Sequence, residues 1–267
     1  MRPDQTLYLM YHEIEIAGRP LCHSEAGYVR YVLSEQNFRE QMDWLKDEKL
    51  RGLSISEALQ PNHRPGVVIT FDDGCETDLL VAAPILKTAG FGATFYITLG
   101  FLGQRGYLAP PQVRELGYSD FEIGCHSMTH KYLSDLDEAG LRHEIVDAKK
   151  QLEDIVGRPV HHFSCPGGRW SPAVAQVAKQ AGYRSVATSR VAVNGGGSDP
   201  LRLARVAVMR GMRLAAYQAL CQGKTLWQLR LRDSIQSASR RVLGNTLYDR
   251  MRSVALGSLP VSKLPRT

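Results

Sequence analysis

Two histidines four residues apart, His126 and His130, and two adjacent carboxylates, Asp72 and Asp73, are the residues of this chain best suited to chemistry. Imidazole nitrogens and a carboxylate oxygen are the donors a single divalent ion takes. If His126-Ser127-Met128-Thr129-His130 turns into a helix, its two histidines share one face. One carboxylate of the Asp72-Asp73 pair completes a His₂Asp set with open positions for water and substrate, and the other is left as a base. Neighbours on an extended strand point to opposite faces, so the two aspartates are expected to do different jobs. The pair also suits a helix cap, with Gly74 supplying the turn.

A third polar run, His161-His162-Phe163-Ser164-Cys165-Pro166-Gly167-Gly168-Arg169-Trp170, ends in a proline, two glycines and an aromatic ring. Glycines let backbone approach a ligand and offer N–H groups to an oxyanion, and Trp170 is suited to stack on the apolar face of a sugar. A tight turn over a buried tryptophan is the plainer reading.

These residues fall at the ends of predicted strands. Val67 to Phe71 is a short β-branched run that stops at Asp72-Asp73-Gly74, the pattern of a buried parallel strand presenting side chains at its carboxyl end. Thr6–Tyr11 runs likewise into His12 and Phe121–Cys125 into His126; Ala93–Ile97, Val160–Ser164, Ser185–Thr188 and a late Leu201–Val208 read as further strands. Helices are expected from a Ser34 cap through Leu50, over Asp78–Ala89, Ala109–Leu116 and Asp135–Val156, and over Pro172–Ala181. Ile14 to Tyr31 has no period and is expected to be a long loop, and Pro61 to Pro65 a turn. Six or seven strand–helix units favour barrel-like closure over a five-stranded open sheet. GxGxxG and GxxxxGK are absent, which removes the usual support for a nucleotide-binding fold. On the late strand, Arg202 or Arg205 is expected either to face the groove and meet an anionic substrate group or to lie on a surface edge.

With those residues in order, the chain resembles the polysaccharide deacetylase family, the NodB-homology group of carbohydrate esterases, from about Leu7 to Val208. Thr70-Phe71-Asp72-Asp73-Gly74 is similar to its first motif, His126-Ser-Met-Thr-His130 to its second, and Phe163-Ser164-Cys165-Pro166-Gly167-Gly168 to its third. The resemblance implies an α/β fold, a distorted, incomplete (β/α)₇ barrel. It also implies Asp72 as general base, Asp73, His126 and His130 around Zn²⁺ or another divalent cation such as Co²⁺, Ni²⁺ or Mn²⁺, and a groove walled by Phe163, Ser164, Cys165, Pro166, Gly167, Gly168 and Trp170. The backbone N–H of Cys75 is the expected oxyanion donor. The implied reaction removes an N-acetyl or O-acetyl group from an amino sugar or glycan, such as a lipid-linked precursor. Hydrolysis of another small amide or imide, and a catalytically weak glycan-binding member, are the alternatives.

Two departures from the family pattern matter. Ser164 stands where the third motif usually carries an arginine that orients the catalytic aspartate. No histidine follows His162, so the late general acid has no counterpart, and His12, His161 or His162 is expected to take its place.

Bulk properties bound the rest. A chain of 267 residues with 43% apolar and 22% charged residues has the composition of a soluble globular protein, and no apolar run reaches eighteen residues. The first twelve residues are too short in apolar length for a secretory signal, so a cytoplasmic protein is expected. Five cysteines, an odd number without CxxC, argue against a disulfide framework and against a four-thiolate zinc site. The net charge of +6 belongs to the end of the chain, where residues 223–267 carry nine Lys and Arg against two Asp. The expected organisation is a barrel over residues 1–222 and a basic, partly helical extension over 223–267. That extension reads either as a peripheral contact with an anionic membrane surface or as a helix packed on the barrel. No nucleic-acid partner is expected, since no recognition motif accompanies the basic residues.

Overall fold

Alternation along the strands sorts side chains into an inside and an outside. In the computed structural model, which describes residues 5–60 and 66–231, the strands in chain order are β1 Gln5–Tyr11, β2 Ile14–Glu15, β3 Leu33–Ser34, β4 Arg51–Leu53, β5 Gly66–Phe71, β6 Thr94–Ile97, β7 Glu122–Cys125, β8 His162–Ser164, β9 Ser185–Ala187, β10 Asn194–Gly195 and β11 Val206–Ala207. Odd-numbered residues of the two central strands, Leu7, Leu9, Tyr11, Val67, Ile69 and Phe71, lie in the large core beneath the helices. There Phe71 stacks between Tyr11 and Phe95, with ring centroids 5.3 and 4.9 Å away. The even-numbered Tyr8, Val68 and Tyr96 join Leu53, Ile55, Ala187 and Leu203 in a second, smaller cluster inside the curled sheet. Full burial of each such side chain stabilises the fold by roughly 1.5–3 kcal/mol.

The sheet runs β10-β1-β5-β6-β7-β8-β9, with β11 also on β1 and β4 also on β5. Its ladders are parallel except for β10 on β1. Beyond β9 the ring continues thinly: Ala187 bridges Leu203, and β11 pairs Val206 and Ala207 with Leu9 and Met10. The result is the expected curled, incomplete parallel barrel, with helices Glu35–Asp47, Ala83–Ala89, Pro110–Tyr118, Ala148–Val156, Pro172–Gln180 and Leu214–Cys221 around it. Gly124 shows how tight the interior is, because a Cβ there would lie 2.4 Å from the Tyr96 ring.

Several expectations are corrected. The helix expected over Asp78–Ala89 begins as a π-helical turn at Asp78–Ala82. That over Asp135–Val156 is split into Glu138–Arg142, a π turn His143–Asp147 and Ala148–Val156. Each wide turn rotates one acid inward, leaving Asp78 and Glu144 buried. Ile14–Tyr31 is not wholly irregular, since β2 pairs with β3 and Ala26–Val29 is a short helix. The late strand is confined to β11, because Pro200–Arg202 forms a 3₁₀ turn first. Helix Leu214–Cys221 and β4 carry no clear sequence signal, the helix being apolar around much of its girth. Leu226 and Leu229 pack on the core, so contact with the barrel continues past residue 222. The expected turn at 61–65 and the extension beyond 231 lie outside the described residues. Among the described residues no helix is long and apolar enough to cross a membrane.

Candidate metal centre

The rim of the barrel at the strand carboxyl ends gathers the polar residues. Asp72 follows β5 and stays on its inner face, in line with Thr70; its amide donates to the Tyr11 carbonyl at 3.0 Å. Asp73 and Gly74 then take φ of +82° and +80°. Left-handed backbone is uncommon for a residue with a Cβ, though aspartate tolerates it better than most. The turn swings Asp73 onto the rim beside Asp72 instead of the opposite face. Amides of Thr98 and Leu108 donate to the Asp73 and Gly74 carbonyls at 3.3 and 3.0 Å and fix it.

The second motif is not a helix. His126 ends β7, Ser127 and His130 adopt φ of +72° and +61°, and the Ser127 hydroxyl accepts the His130 amide at 3.0 Å. Backbone turns therefore do what helical spacing was expected to do. Glu144, 2% exposed on the π turn, accepts the amides of Met128 and Thr129 at 3.0 and 2.8 Å and the Thr129 hydroxyl, which pins the loop.

His126 Nδ1 donates to the Ser164 carbonyl at 2.9 Å. A carbonyl only accepts, so Nδ1 carries the proton and Nε2 presents a lone pair. His126 Nε2 lies 3.5 Å and His130 Nε2 3.3 Å from the same Asp73 oxygen, Oδ1. One donor atom from each of the three lies within 4.8 Å of the others, the spacing of a first coordination shell. Asp73 Oδ1 is buried and has no hydrogen bond of good geometry, as suits an oxygen reserved for a cation. Burial alone would raise Asp73, but His130 outweighs it and holds the carboxyl well below its ordinary range. Burial lowers His126 to about 4, so its imidazole is neutral near neutral pH.

Asp72 is held differently. Arg205, 1% exposed, clamps it with Nη1–Oδ1 at 2.7 Å and Nη2–Oδ2 at 2.8 Å, and also donates to Ser164 Oγ at 2.7 Å, Thr70 Oγ1 at 3.0 Å and the Thr188 carbonyl at 3.0 Å. Burial would raise Asp72; the guanidinium and then His126 outweigh it and keep it lowered and ionised. Arg205 thus does not face the groove as expected. A fork-shaped donor satisfies both carboxylate oxygens at once, which lysine does not.

The other expected site residues divide. Ser164 lies 3.4 Å from both Asp72 oxygens. Phe163 points outward into the core against Tyr183, and Cys165 is buried there too, so neither walls the groove. Pro166 is buried, while Gly167 and Gly168 take φ of +58° and +68° where a Cβ would strike Tyr132 and Ser189. Trp170 donates to the Leu201 carbonyl at 2.7 Å with Arg202 over its ring at 4.5 Å, so a ring face meant for sugar is taken by a guanidinium. His12 stands at the end of β1 against Tyr31 with a buried, unpartnered Nδ1, near enough that its charge lowers both Asp72 and Asp73. His162 is corrected: its ring nitrogens meet Ser56, Ser185 and Glu122, not the aspartates. With His161 it lines a cavity of about 700 Å³ between Arg51, Glu57 and Arg158. Cys75 is buried with its sulfur toward Cys22. Glu144 and the clamping role of Arg205 were missed, since nothing local in sequence marks a residue that acts across strands.

The chain is similar to known proteins in sequence and in fold. The family model described as polysaccharide deacetylase matches residues 60–186, which takes in Asp72, Asp73, His126, His130 and Ser164. Over those residues the chain belongs to the polysaccharide deacetylase family. Among relatives of this deacetylase-family chain, the Bacillus subtilis protein YxkH is 27% identical over 224 residues, 82% of this chain and 76% of that protein. The peptidoglycan-N-acetylglucosamine deacetylase of Bacillus cereus is 38% identical over 127 residues, but these are 47% of this chain and 57% of the relative. Streptococcus pyogenes deacetylase PplD, solved in complex with acetate, shares the fold with a TM-score of 0.70 at 24% identity, over 81% of this chain and 98% of that one. Family membership and the Asp73–His126–His130 triad support a deacetylase-type hydrolase with a site for a divalent cation.

Proposed function

We propose that this deacetylase-family protein removes the N-acetyl group of an amino sugar within a glycan or glycan precursor. The convergence of Asp73 Oδ1, His126 Nε2 and His130 Nε2 beside a clamped Asp72 carries the reading. Two imidazoles and one carboxylate suit Zn²⁺ and related first-row cations. When bound, such a cation supplies Lewis acidity toward a carbonyl oxygen and toward water.

The chain's own residues supply the remainder. Asp72, ionised and fixed by Arg205, takes the proton of the attacking water at a carboxylate oxygen. The Cys75 amide stabilises the oxyanion, and His12 returns a proton to the departing amine. The sugar's acetamido group is drawn from the activity of the Bacillus cereus relative, a peptidoglycan-N-acetylglucosamine deacetylase, and from the partly exposed His130 at the edge of the triad.

Acetate release from N-acetylglucosamine oligomers is the test, run on the full chain with added Zn²⁺ or Co²⁺ and again after exhaustive chelation. Release that is abolished by chelator and restored by cation supports the reading; no release with any cation, or release indifferent to chelator, rejects it.

A further inference from the structure

Two thiols that the proposed reaction does not use meet beside the centre. Cys22, in the loop after β2, and Cys75, two residues past Asp73, lie with their sulfurs 3.8 Å apart. They are 53 residues apart in sequence and come from different turns of the rim. Cys22 is partly exposed, whereas Cys75 is fully buried.

The surroundings hold this approach in place. Both oxygens of Glu13 accept the Cys22 amide, at 3.3 and 3.1 Å, and Glu13 Oε2 also accepts the Tyr28 hydroxyl at 2.9 Å. Tyr28 in turn reaches Cys75 Sγ at 3.5 Å. The Cys22 thiol donates to the Gly106 carbonyl at 3.2 Å, and Gly106 must lack a side chain, since a Cβ there would lie 2.7 Å from Cys22 Sγ. Cys75 itself bridges Tyr107 on that same loop. The two sulfurs are thus neighbours held by a hydrogen-bonded frame, not loose ends that meet by chance.

We infer that Cys22 and Cys75 form a reversible disulfide that fastens the loop after β2 to the turn carrying Asp73. Hydrogen peroxide is the oxidant. The Cys22 sulfur attacks a peroxide oxygen, the O–O bond breaks, and a sulfenic acid and one water result. The Cys75 sulfur then attacks the Cys22 sulfur; the S–S bond forms, the S–O bond breaks, and hydroxide leaves as water with the Cys75 proton. The thiols lose two electrons and the peroxide is reduced to two waters, while a dithiol reverses the link by exchange. Fastening residues 22 and 75 restricts the unfolded chain, so the oxidised form is expected to melt higher. This inference stands on the thiol geometry alone and does not depend on the proposed reaction.

Purified full chain, reduced and then treated with a small excess of hydrogen peroxide, is denatured, alkylated and digested. The expected result is a Cys22–Cys75 linked peptide, a fall from five free thiols to three, a higher melting temperature, and return of all three readouts with dithiothreitol. At the same dose Cys22→Ser is expected to keep all four of its remaining thiols, and Cys75→Ala to lose only the Cys22 thiol, as a sulfenic acid with no linked peptide. In the unsubstituted chain a sulfenic or sulfinic Cys22 without the linked peptide, or a link to another cysteine, overturns the inference, as does thiol loss in Cys22→Ser.

Discussion

Asp72 and Asp73 share a peptide bond and a buried rim, yet their partners differ in kind: a guanidinium for the first, two imidazoles for the second. Arg205→Lys keeps the charge and loses the fork, so the full chain is expected to retain its cation while kcat falls by about 10²-fold, the scale of a misplaced catalytic group, with KM little changed. Unaltered kcat would show that the clamp has no part in turnover. The two histidines also differ. Burial would lower His130, but the adjacent Asp73 carboxylate outweighs it and raises its pKa above the ordinary 6.5, whereas burial brings His126 down to about 4. A cation must therefore displace a proton from His130, not from His126, and affinity is expected to fall about tenfold per pH unit below the raised His130 value. Calorimetric titration with Zn²⁺ between pH 8 and pH 5.5 checks this; a flat profile contradicts it. The family's missing arginine at Ser164 was readable in sequence, but its replacement by Arg205 was not, because only closure of the barrel brings residue 205 within 2.7 Å of Ser164.

Turns rather than helices set the geometry of the second motif. The spacing of His126 and His130 pointed to two rings that do converge, for a reason that the fold does not use: left-handed Ser127 and His130, and not a helical repeat, aim the rings together. What holds those turns is Glu144, rotated inward by a π turn that hydrophobic periodicity smooths over, so the helix was legible and its most consequential irregularity was not. Glu144→Gln keeps the size but exchanges an acceptor oxygen for a donor. Metal affinity is expected to drop about 10- to 100-fold, as for other residues that hold ligands in place, with the fold intact by circular dichroism. Equal affinity in the variant would remove Glu144 from the account.

Across the whole molecule, the curled sheet separates chemistry at the strand carboxyl ends from support within the barrel. Strand existence and parallel order were legible because β5 and its neighbours are apolar runs ending in polar residues, whereas short pairings such as β10 and β11 offer too few residues for a pattern. His162 shows the division. Two residues before Ser164 on β8, it faces the same interior but one pleat away, among Ser56, Ser185 and Glu122. Burial would raise Glu122, yet His162 outweighs it and keeps it lowered. His162→Ala removes a hydrogen-bonding neighbour of Glu122, Ser56 and Ser185 and leaves a hole, so a loss of about 1–3 kcal/mol in urea unfolding is expected, with turnover per folded molecule within a few-fold of the parent. A stable variant without turnover would return His162 to the reaction.

The whole arrangement turns on which aspartate holds the cation. Titration of Zn²⁺ into the full chain, its Asp72→Asn variant and its Asp73→Asn variant decides it. One ion per chain is expected in the first two at similar affinity, and a loss of more than about 100-fold in the third, beyond what an outer partner costs. Undiminished binding by Asp73→Asn, or loss of the ion in Asp72→Asn, would contradict the assignment.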